Sequence, residues 1–449
     1  MTEYMETFRV VVLGGARQVG KTTMVLDLLD LPGARYVTLD DAATLARVRD
    51  DPSAVLESGG DVIVIDEYQR AGPGLLLAIK AKVDRDSRRG QVLLTGSAGY
   101  EASAAVAESL AGRAGRVVVW PLSAGEVLRR RDSFVDDVFT PRRWPGPEAE
   151  PLPRADLVDL VLRGGFPEVV TQDLTGRARS RWFADYLAQV VAREAIRPVA
   201  DVRLERELRQ LVHLVAASSP GDPSPAGLAS DTGLSRPTVT SYLALLDALH
   251  VTHSVPAWAV SATTRARRRP KTVMVDSGLA AHLAGLGPEA FGPAADGVAA
   301  GRLLETYVIG EVARQCGWAE RDVDLLHYRD REGREIDIVL EDRRTGEIVG
   351  IEVKLTSNPT TRHVRWLAWL RDLRPQSFVA GVLVHAGPQT LPMGERLWAV
   401  PVSRLWTASP RERGRERARI DQRSRHLGLR TDVSEVAETL DLLEGPDHR

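Results

Sequence analysis

The 449-residue chain is 43% apolar and 27% charged, with 59 basic and 61 acidic side chains and a formal net charge of -2. Its length exceeds the ~250–300 residues that one core fills, so two to four domains are expected; near-neutrality gives no global support for nucleic-acid binding, although clustered arginines could form a local basic face. One cysteine, Cys316, excludes a disulfide framework and a cysteine-rich zinc site, and no apolar run reaches the ~18 residues of a membrane-spanning helix, so no membrane association and a reducing, cytoplasmic setting are expected.

The first element is a buried-strand pattern, residues 8–13 (FRVVVL), running into a glycine-rich turn. Gly15-Ala16-Arg17-Gln18-Val19-Gly20-Lys21-Thr22 satisfies G-x-x-x-x-G-K-[ST], and a helical stretch from Thr23 to Leu31 follows. Glycines let backbone N–H groups close around phosphate oxygens at a helix N-terminus. Lys21 can then reach the β- and γ-phosphates, and Thr22, with Thr23 beside it, can offer a hydroxyl to Mg2+. The motif predicts a nucleoside triphosphate with magnesium, and the lack of an evident guanine-selecting segment leans toward ATP over GTP.

Tyr36–Asp40 reads as a second strand, and Asp61–Asp66 as a third that ends in the acids Asp66 and Glu67. Asp66 is expected to hold the magnesium and Glu67 to polarise the attacking water. A crossover helix over Gly74–Asp86 leads to the strand Gln91–Ser97, where Thr95 or Ser97 can sense the γ-phosphate. Strands alternating with helices predict a parallel α/β sheet with its site at the carboxyl edge. Arg113 and Arg116, both just before the strand-like 117–120, are candidates for an arginine finger, the alternative being surface ion pairs.

Residues 140–155 are proline-rich and aperiodic, a linker or exposed loop. Helices are predicted over 156–163, 177–196 and 202–218, the last two with apolar spacings of three and four. Ala226–Thr232, a Gly233-Leu234-Ser235 turn and Arg236–Leu249 then read as a helix-turn-helix, with Ser235 as N-cap and Pro237 near the first turn. Val251–Val255 reads as a wing strand, completing a winged helix with Arg236, Thr238, Thr240 and Ser241 near the start of the recognition helix. Arg265, Arg267, Arg268, Arg269 and Lys271 could contact phosphates or form a solvated loop.

The last region offers a strand over Lys271–Asp276, a helix over Gly301–Cys316, and strands over 323–328, 335–340 and 348–354. Alternation in a strand puts Glu352 and Lys354 on one face, with Asp337 on the preceding hairpin strand able to meet them. Two carboxylates can bind magnesium, and a lysine can orient water and steady phosphodiester charge. Glu305 on the preceding helix is placed to supply a further acid.

The P-loop, Asp66-Glu67, the Thr95-Gly96-Ser97 strand end, Gly112-Arg113 before Pro121-Leu122-Ser123, and Gly164-Gly165-Phe166-Pro167-Glu168 together resemble prokaryotic AAA-type ATPases fused to a DUF4143-like domain. The resemblance implies that Asp66 and Glu67 are the Walker B acids and Thr95–Ser97 the sensor 1 region. The D-x14-E-x-K pattern at Asp337, Glu352 and Lys354 resembles the PD-(D/E)xK nuclease core in its αβββαβ order, with Glu305 as the helical acid; the signature proline is absent. The expected division is an ATPase core over 1–135, a linker and lid-like region over 136–200, a winged helix-turn-helix over 201–269, a nuclease-like domain over 270–408 and a charged tail over 409–449. The leading expectation is an ATP-hydrolysing, DNA-associated protein with a possible metal-dependent nuclease. The alternative is a nucleotide-gated regulatory or interaction protein, of defence or toxin–antitoxin type, whose nuclease-like domain is inactive. Homo-oligomers and protein partners fit either.

Overall fold

The computed structural model describes residues 1–29, 31, 33–57, 60–96, 109–130, 132–141, 144–145, 151–190 and 202–407. Ser97, the 409–449 tail, most of the proline-rich linker and the end of the expected 177–196 helix lie outside these residues.

Five parallel strands form the N-terminal sheet: β1 (Val10–Gly15), β2 (Arg35–Thr38), β3 (Ile63–Asp66), β4 (Val92–Thr95) and β5 (Ala114–Val119), in the order β2-β3-β4-β1-β5. All six residues of β1 are buried. Val10 and Val12 pack with Ile63, Ile65 and Leu94 against Leu76 and Ile79 of the Pro73–Arg85 helix, whereas Val11 and Leu13 pack with Val25, Val64 and Leu93 on the other face. Cover on both faces is why these strands read as continuous apolar runs instead of alternating ones. Burying each such side chain contributes roughly 1.5–3 kcal/mol. The register sets Leu13 beside Thr95, Gly15 beside Val119 and Thr38 beside Asp66, which gathers the chemistry at one carboxyl edge.

The expected helix over Thr23–Leu31 is shorter. Lys21–Thr23 is α-helical, Met24–Leu28 widens into a π turn, and the Leu29 N–H closes it on the Met24 carbonyl at 2.9 Å. Pro32 follows in the sequence and disfavours helix at the residue before it.

The middle of the chain carries helices at Arg154–Arg163, Gly176–Val190, Val202–Ser218, Pro225–Thr232 and Arg236–Ala248, then the antiparallel pair β6 (Thr252–Val255) and β7 (Lys271–Met274). Ser224 and Ser235 cap the fourth and fifth of these helices, and Gly233 ends the fourth in the left-handed conformation.

The Val298–Cys316 helix opens the C-terminal part, followed by β8 (Val323–Arg329), β9 (Glu335–Asp342) and β10 (Ile348–Lys354), the Arg365–Leu373 helix and β11 (Phe378–His385). This is the expected αβββαβ order. Two strands that the sequence reading did not anticipate, β12 (Leu391–Gly394) and β13 (Leu397–Pro401), extend a mixed sheet ordered β12-β13-β11-β10-β9-β8. Leu304 and Val308 pack with Ile338, Leu340 and Ile351 on one face, Leu367 and Leu370 with Ile336 and Val339 on the other. The first of these clusters continues through the middle helices to Ala16 and Val19 of the P-loop, so the nucleotide motif and the C-terminal sheet share one apolar core.

Candidate functional site

The glycine-rich turn leaves β1 at Gly15, whose φ is 130°. A Cβ there would lie 2.1 Å from the Val119 carbonyl oxygen, so only glycine lets β5 approach this closely. Ala16 and Val19 are buried, anchoring a loop whose Gln18 is exposed at φ 60° and whose Arg17 is half-buried. Gly20, at φ 87°, is the N-cap of the short helix that Lys21 begins. Lys21 Nζ donates to the carbonyls of Gly15 at 3.0 Å and Ala16 at 2.8 Å. The ammonium is thus held over the loop in which phosphates would sit, with the exposed Thr22 hydroxyl beside it. Helix N-terminus, lysine and hydroxyl fit a magnesium–nucleotide complex.

At the same edge Asp66 is buried and both its carboxylate oxygens are engaged. Tyr36 Oη donates to Oδ2 at 2.6 Å, and Thr95 Oγ1 donates to Oδ1. Burial and the Asp66 charge raise the Tyr36 phenol above its ordinary pKa, so it stays a donor. Glu67 sits in the left-handed region at φ 57° and is followed by the buried Tyr68 ring. Its carboxylate accepts from Gln69 Nε2. Burial, then the neighbouring Asp66, raises its pKa. Tyr36 and Gln69 carry no sequence motif; only the pairing of β2 with β3 brings the phenol to Asp66.

The arginine candidates are placed differently. Arg113 precedes Ala114, which pairs with Val10 at the amino end of β1, so it lies roughly 20 Å along the strand from the P-loop edge. Its guanidinium forks onto Asp84 at 2.6 and 2.8 Å. Arg116 is exposed in mid-strand opposite Val12. Arg113 therefore does not reach its own chain's P-loop.

A second set of contacts joins this edge to the rest of the molecule. β5 leads through Trp120 into Pro121, whose carbonyl accepts from Arg314 Nε at 2.7 Å. Glu311 on the same helix accepts the Ala124 N–H at 2.9 Å and pairs with Arg314 at 2.9 Å. Leu122 N–H donates to the Gly165 carbonyl at 2.7 Å, and Gly165 N–H donates to the buried Asp276 at 2.7 Å. A Cβ on Gly165 would lie 2.1 Å from the Leu122 oxygen, which explains a glycine at this point of the Gly164–Glu168 segment. Pro167 then packs 3.8 Å from where a Cβ on Gly20 would be.

In the C-terminal sheet, Asp337, Glu352 and Lys354 converge as their strand positions require. Lys354 Nζ lies 2.9 Å from Glu352 Oε2 and 3.6 Å from Asp337 Oδ2, and Asp337 Oδ2 also accepts the Val353 N–H at 2.8 Å. Glu305 turns inward from the Val298–Cys316 helix as expected, but its partner is Lys271 at 2.8 Å. Lys271 is only 3% exposed and is also 3.4 Å from Glu335 and 4.0 Å from Asp337. Burial opposes the Lys271 charge, yet Glu305, Asp337 and Glu335 outweigh it and raise its pKa. Burial and then Asp337 push Glu305 up to about 7 and Glu352 well above its ordinary range. A protonated Glu352 also suits its second oxygen, Oε1, which is buried without a hydrogen bond. Among the described residues no three His, Cys, Asp or Glu side chains form a group that could hold a metal ion.

Lys271 therefore leaves the basic cluster to which its sequence neighbourhood assigns it. Three of the arginines are also engaged within the chain: Arg265 pairs with Glu341, Arg268 donates to the Arg329 carbonyl and lies over the Tyr328 ring, and Arg269 faces Asp222 at 3.7 Å. On the Arg236–Ala248 helix, Arg236, Thr240 and Ser241 are exposed and Thr238 half-buried.

Fold and motifs define an N-terminal AAA-type ATPase domain fused to a C-terminal DUF4143 domain. The AAA domain family matches residues 7–128, the domain of unknown function DUF8612 matches 154–290, and DUF4143, also of unknown function, matches 300–405. The chain belongs to the family of the uncharacterized proteins Rv2008c of Mycobacterium tuberculosis and Mb2031c of Mycobacterium bovis; each is 30% identical over 411 residues, covering 89% of this chain and 81% of the relative. Among solved structures, the Aeropyrum pernix ORC1 protein in complex with DNA aligns at 17% identity over 61% of this chain and 86% of that one, with a TM-score of 0.22. A signal-transduction ATPase with a tetratricopeptide repeat sensor from Pyrococcus horikoshii aligns at 11% over 69% and 43%, with a TM-score of 0.23. Likenesses this distant carry no functional argument. None of the described helices is long and apolar enough to cross a membrane.

Proposed function

We propose that this protein binds and hydrolyses ATP with Mg2+ and is a nucleotide-gated regulatory or interaction protein whose C-terminal domain has a nuclease-like fold but does not cleave. The observation that carries this reading is the continuous link from Gly15 through Val119 and Pro121 to Arg314 and Glu311 on the C-terminal helix. A shift at the P-loop can bias the C-terminal sheet through that helix, since packed elements pass strain on. Gly20, Lys21 and Thr22 would seat the phosphates and magnesium. Asp66, steadied by Tyr36 and Thr95, would hold the metal's water shell, and Glu67 would accept the proton of the attacking water. The bound magnesium would offset charge on the transferring phosphoryl group. Ser97 remains a sensor candidate.

Support for an inactive C-terminal site comes from the acids themselves, which are engaged by the buried Lys271 and the partly exposed Lys354. A PD-(D/E)xK centre needs carboxylates free for a cation. The alternative of a DNA-associated protein is favoured by one feature, the exposed Arg236, Thr240 and Ser241 near the start of a helix followed by a β-hairpin, as in a winged helix. Against it stands the use of Arg265, Arg268, Arg269 and Lys271 inside the chain.

The test is hydrogen exchange over 298–354 with and without ATP and Mg2+. Slower exchange in wild type that is absent in Lys21→Ala supports gating. Identical exchange in both, from protein that still turns over ATP, rejects it. DNA cleavage lost in a Glu352→Ala, Lys354→Ala variant would reinstate the nuclease.

A further inference from the structure

Lys271 is the first residue of β7, and its main chain is fixed on both sides. It pairs with Val255 of β6, and Thr272 next to it exchanges N–H and carbonyl hydrogen bonds with Gly221 at 2.7 and 3.1 Å. With its side chain buried, the ammonium is enclosed against its carboxylate partners. It points between the Val298–Cys316 helix and the start of β9, with three N–H groups and three carboxylates around it: Glu305, Glu335 and Asp337. Asp337 divides its two oxygens, Oδ1 toward Lys271 and Oδ2 toward Lys354. These acids come from a helix and a strand of the DUF4143 match, whereas the lysine comes from the segment before it.

We propose that Lys271 is the resident cation of the C-terminal acid cluster, taking the place that Glu305 and Asp337 would otherwise offer a divalent metal, and that it makes this site metal-independent. The inference rests on the reading of that domain as non-cleaving, and it identifies the residue responsible. Four carboxyl groups and two ammoniums meet here, with Lys271, Asp337 and Glu352 buried and Glu305, Glu335 and Lys354 partly exposed, and an ammonium beside three carboxylates offsets their charge without the dehydration that a hard dication requires. Removing the Lys271 charge leaves Glu305, Glu335 and Asp337 with a vacancy bounded by oxygen ligands, the donor type that Mg2+ and Mn2+ take.

The experiment uses nucleotide-free full-length protein and Mn2+ alone, read by thermal unfolding and by Mn2+ electron paramagnetic resonance. Wild type and Lys271→Arg are expected to show no Mn2+ response. Lys271→Met is expected to melt lower, to recover in Mn2+, and to bind it at least tenfold more tightly than wild type; a further Glu305→Gln change should abolish the recovery. If Lys271→Met is unfolded as isolated, Mn2+ is expected to restore its fold, and failure to do so overturns the inference. A folded Lys271→Met blind to Mn2+ also overturns it while leaving the non-cleaving reading intact. Mn2+ binding by wild type that Glu352→Gln removes would sink both.

Discussion

Arg314 Nε donates to the Pro121 carbonyl across 2.7 Å, joining residues 193 positions apart and fastening the strand beside the P-loop to the first helix of the C-terminal domain. Arg314 and Glu311 are 4% and 2% exposed, so their pair is fully desolvated. Removing one member of such a pair costs about 3–5 kcal/mol, because the other is left buried and uncompensated. Arg314→Met is expected to lower the chemical-denaturation midpoint accordingly and to abolish any ATP-dependent protection of the C-terminal strands. Retained protection in a folded Arg314→Met protein would place the coupling elsewhere.

Glu311 also sets a pH dependence. Burial is the largest influence on its carboxyl; Arg314 and the Ala124 N–H oppose it, Asp132 and Glu126 add to it, and its pKa rises to about 7. A raised carboxyl pKa means that the native state holds a proton which the unfolded chain has released. Its contribution is fully present below the unfolded pKa of about 4.5 and is lost as pH rises through about 7. Glu311→Gln cannot titrate. Wild type should therefore lose on the order of 1–3 kcal/mol relative to the variant between pH 4.5 and 7.5. Urea unfolding of both proteins at the two pH values checks this, and parallel curves would refute it.

The parts of this arrangement that the sequence reveals are the local ones. Gly15–Thr22 and Asp66-Glu67 are contiguous strings, and their strand contexts follow from short apolar runs. Glu352 and Lys354 share a face by the two-residue period of a strand, and Asp337 is one hairpin away. The residues that were not legible act across chain distance. Tyr36 reaches Asp66 only because β2 pairs with β3, and Lys271 reaches Glu305 only because the β6–β7 hairpin packs on the C-terminal helix. In sequence Lys271 closes a run of arginines, and a basic run looks like a solvent-facing one. The pairing of Arg113 with Asp84 is likewise a matter of packing, and β12 and β13 are short strands next to a turn.

Tyr36 offers a test of how Asp66 is held. Tyr36→Phe removes one hydroxyl and leaves the ring, so about 0.5–1.5 kcal/mol of stability is at stake. The effect on turnover should be larger, since an Asp66 free to rotate presents magnesium less often. Turnover is expected to fall about tenfold, equivalent to about 1.4 kcal/mol, and to need more Mg2+ for half-saturation. Steady-state ATPase rates across a Mg2+ series decide it; an unchanged Mg2+ requirement would assign the phenol a packing role only.

Glu67→Gln separates binding from chemistry at the same edge. The amide keeps the size of the side chain and a group with which Gln69 can bond, but it accepts no proton from water. Nucleotide affinity is expected to stay within a factor of about three while turnover falls by at least 10²-fold, the range associated with a positioned base. Fluorescent-nucleotide binding and phosphate release measured on one preparation test this. Turnover that survives would move the role of base away from Glu67.

The position of Arg113 leads to a prediction about assembly. It sits at the amino edge of β5, across the sheet from its own nucleotide seat, and Asp84 holds it there through two hydrogen bonds. An arginine so placed can meet a γ-phosphate only on a neighbouring copy, where it would leave Asp84 and neutralise transferred charge. Arg113→Ala and Lys21→Ala should then each be inactive alone, the first for want of the finger and the second for want of a nucleotide site. Mixed in equal amounts they should recover a measurable part of wild-type turnover, because a mixed assembly unites an intact seat with an intact arginine. Asp84→Ala, which frees the guanidinium, should retain activity. If Arg113→Ala is fully active, or if mixing restores nothing although the copies associate, Arg113 is a surface ion pair and the ATPase works without it.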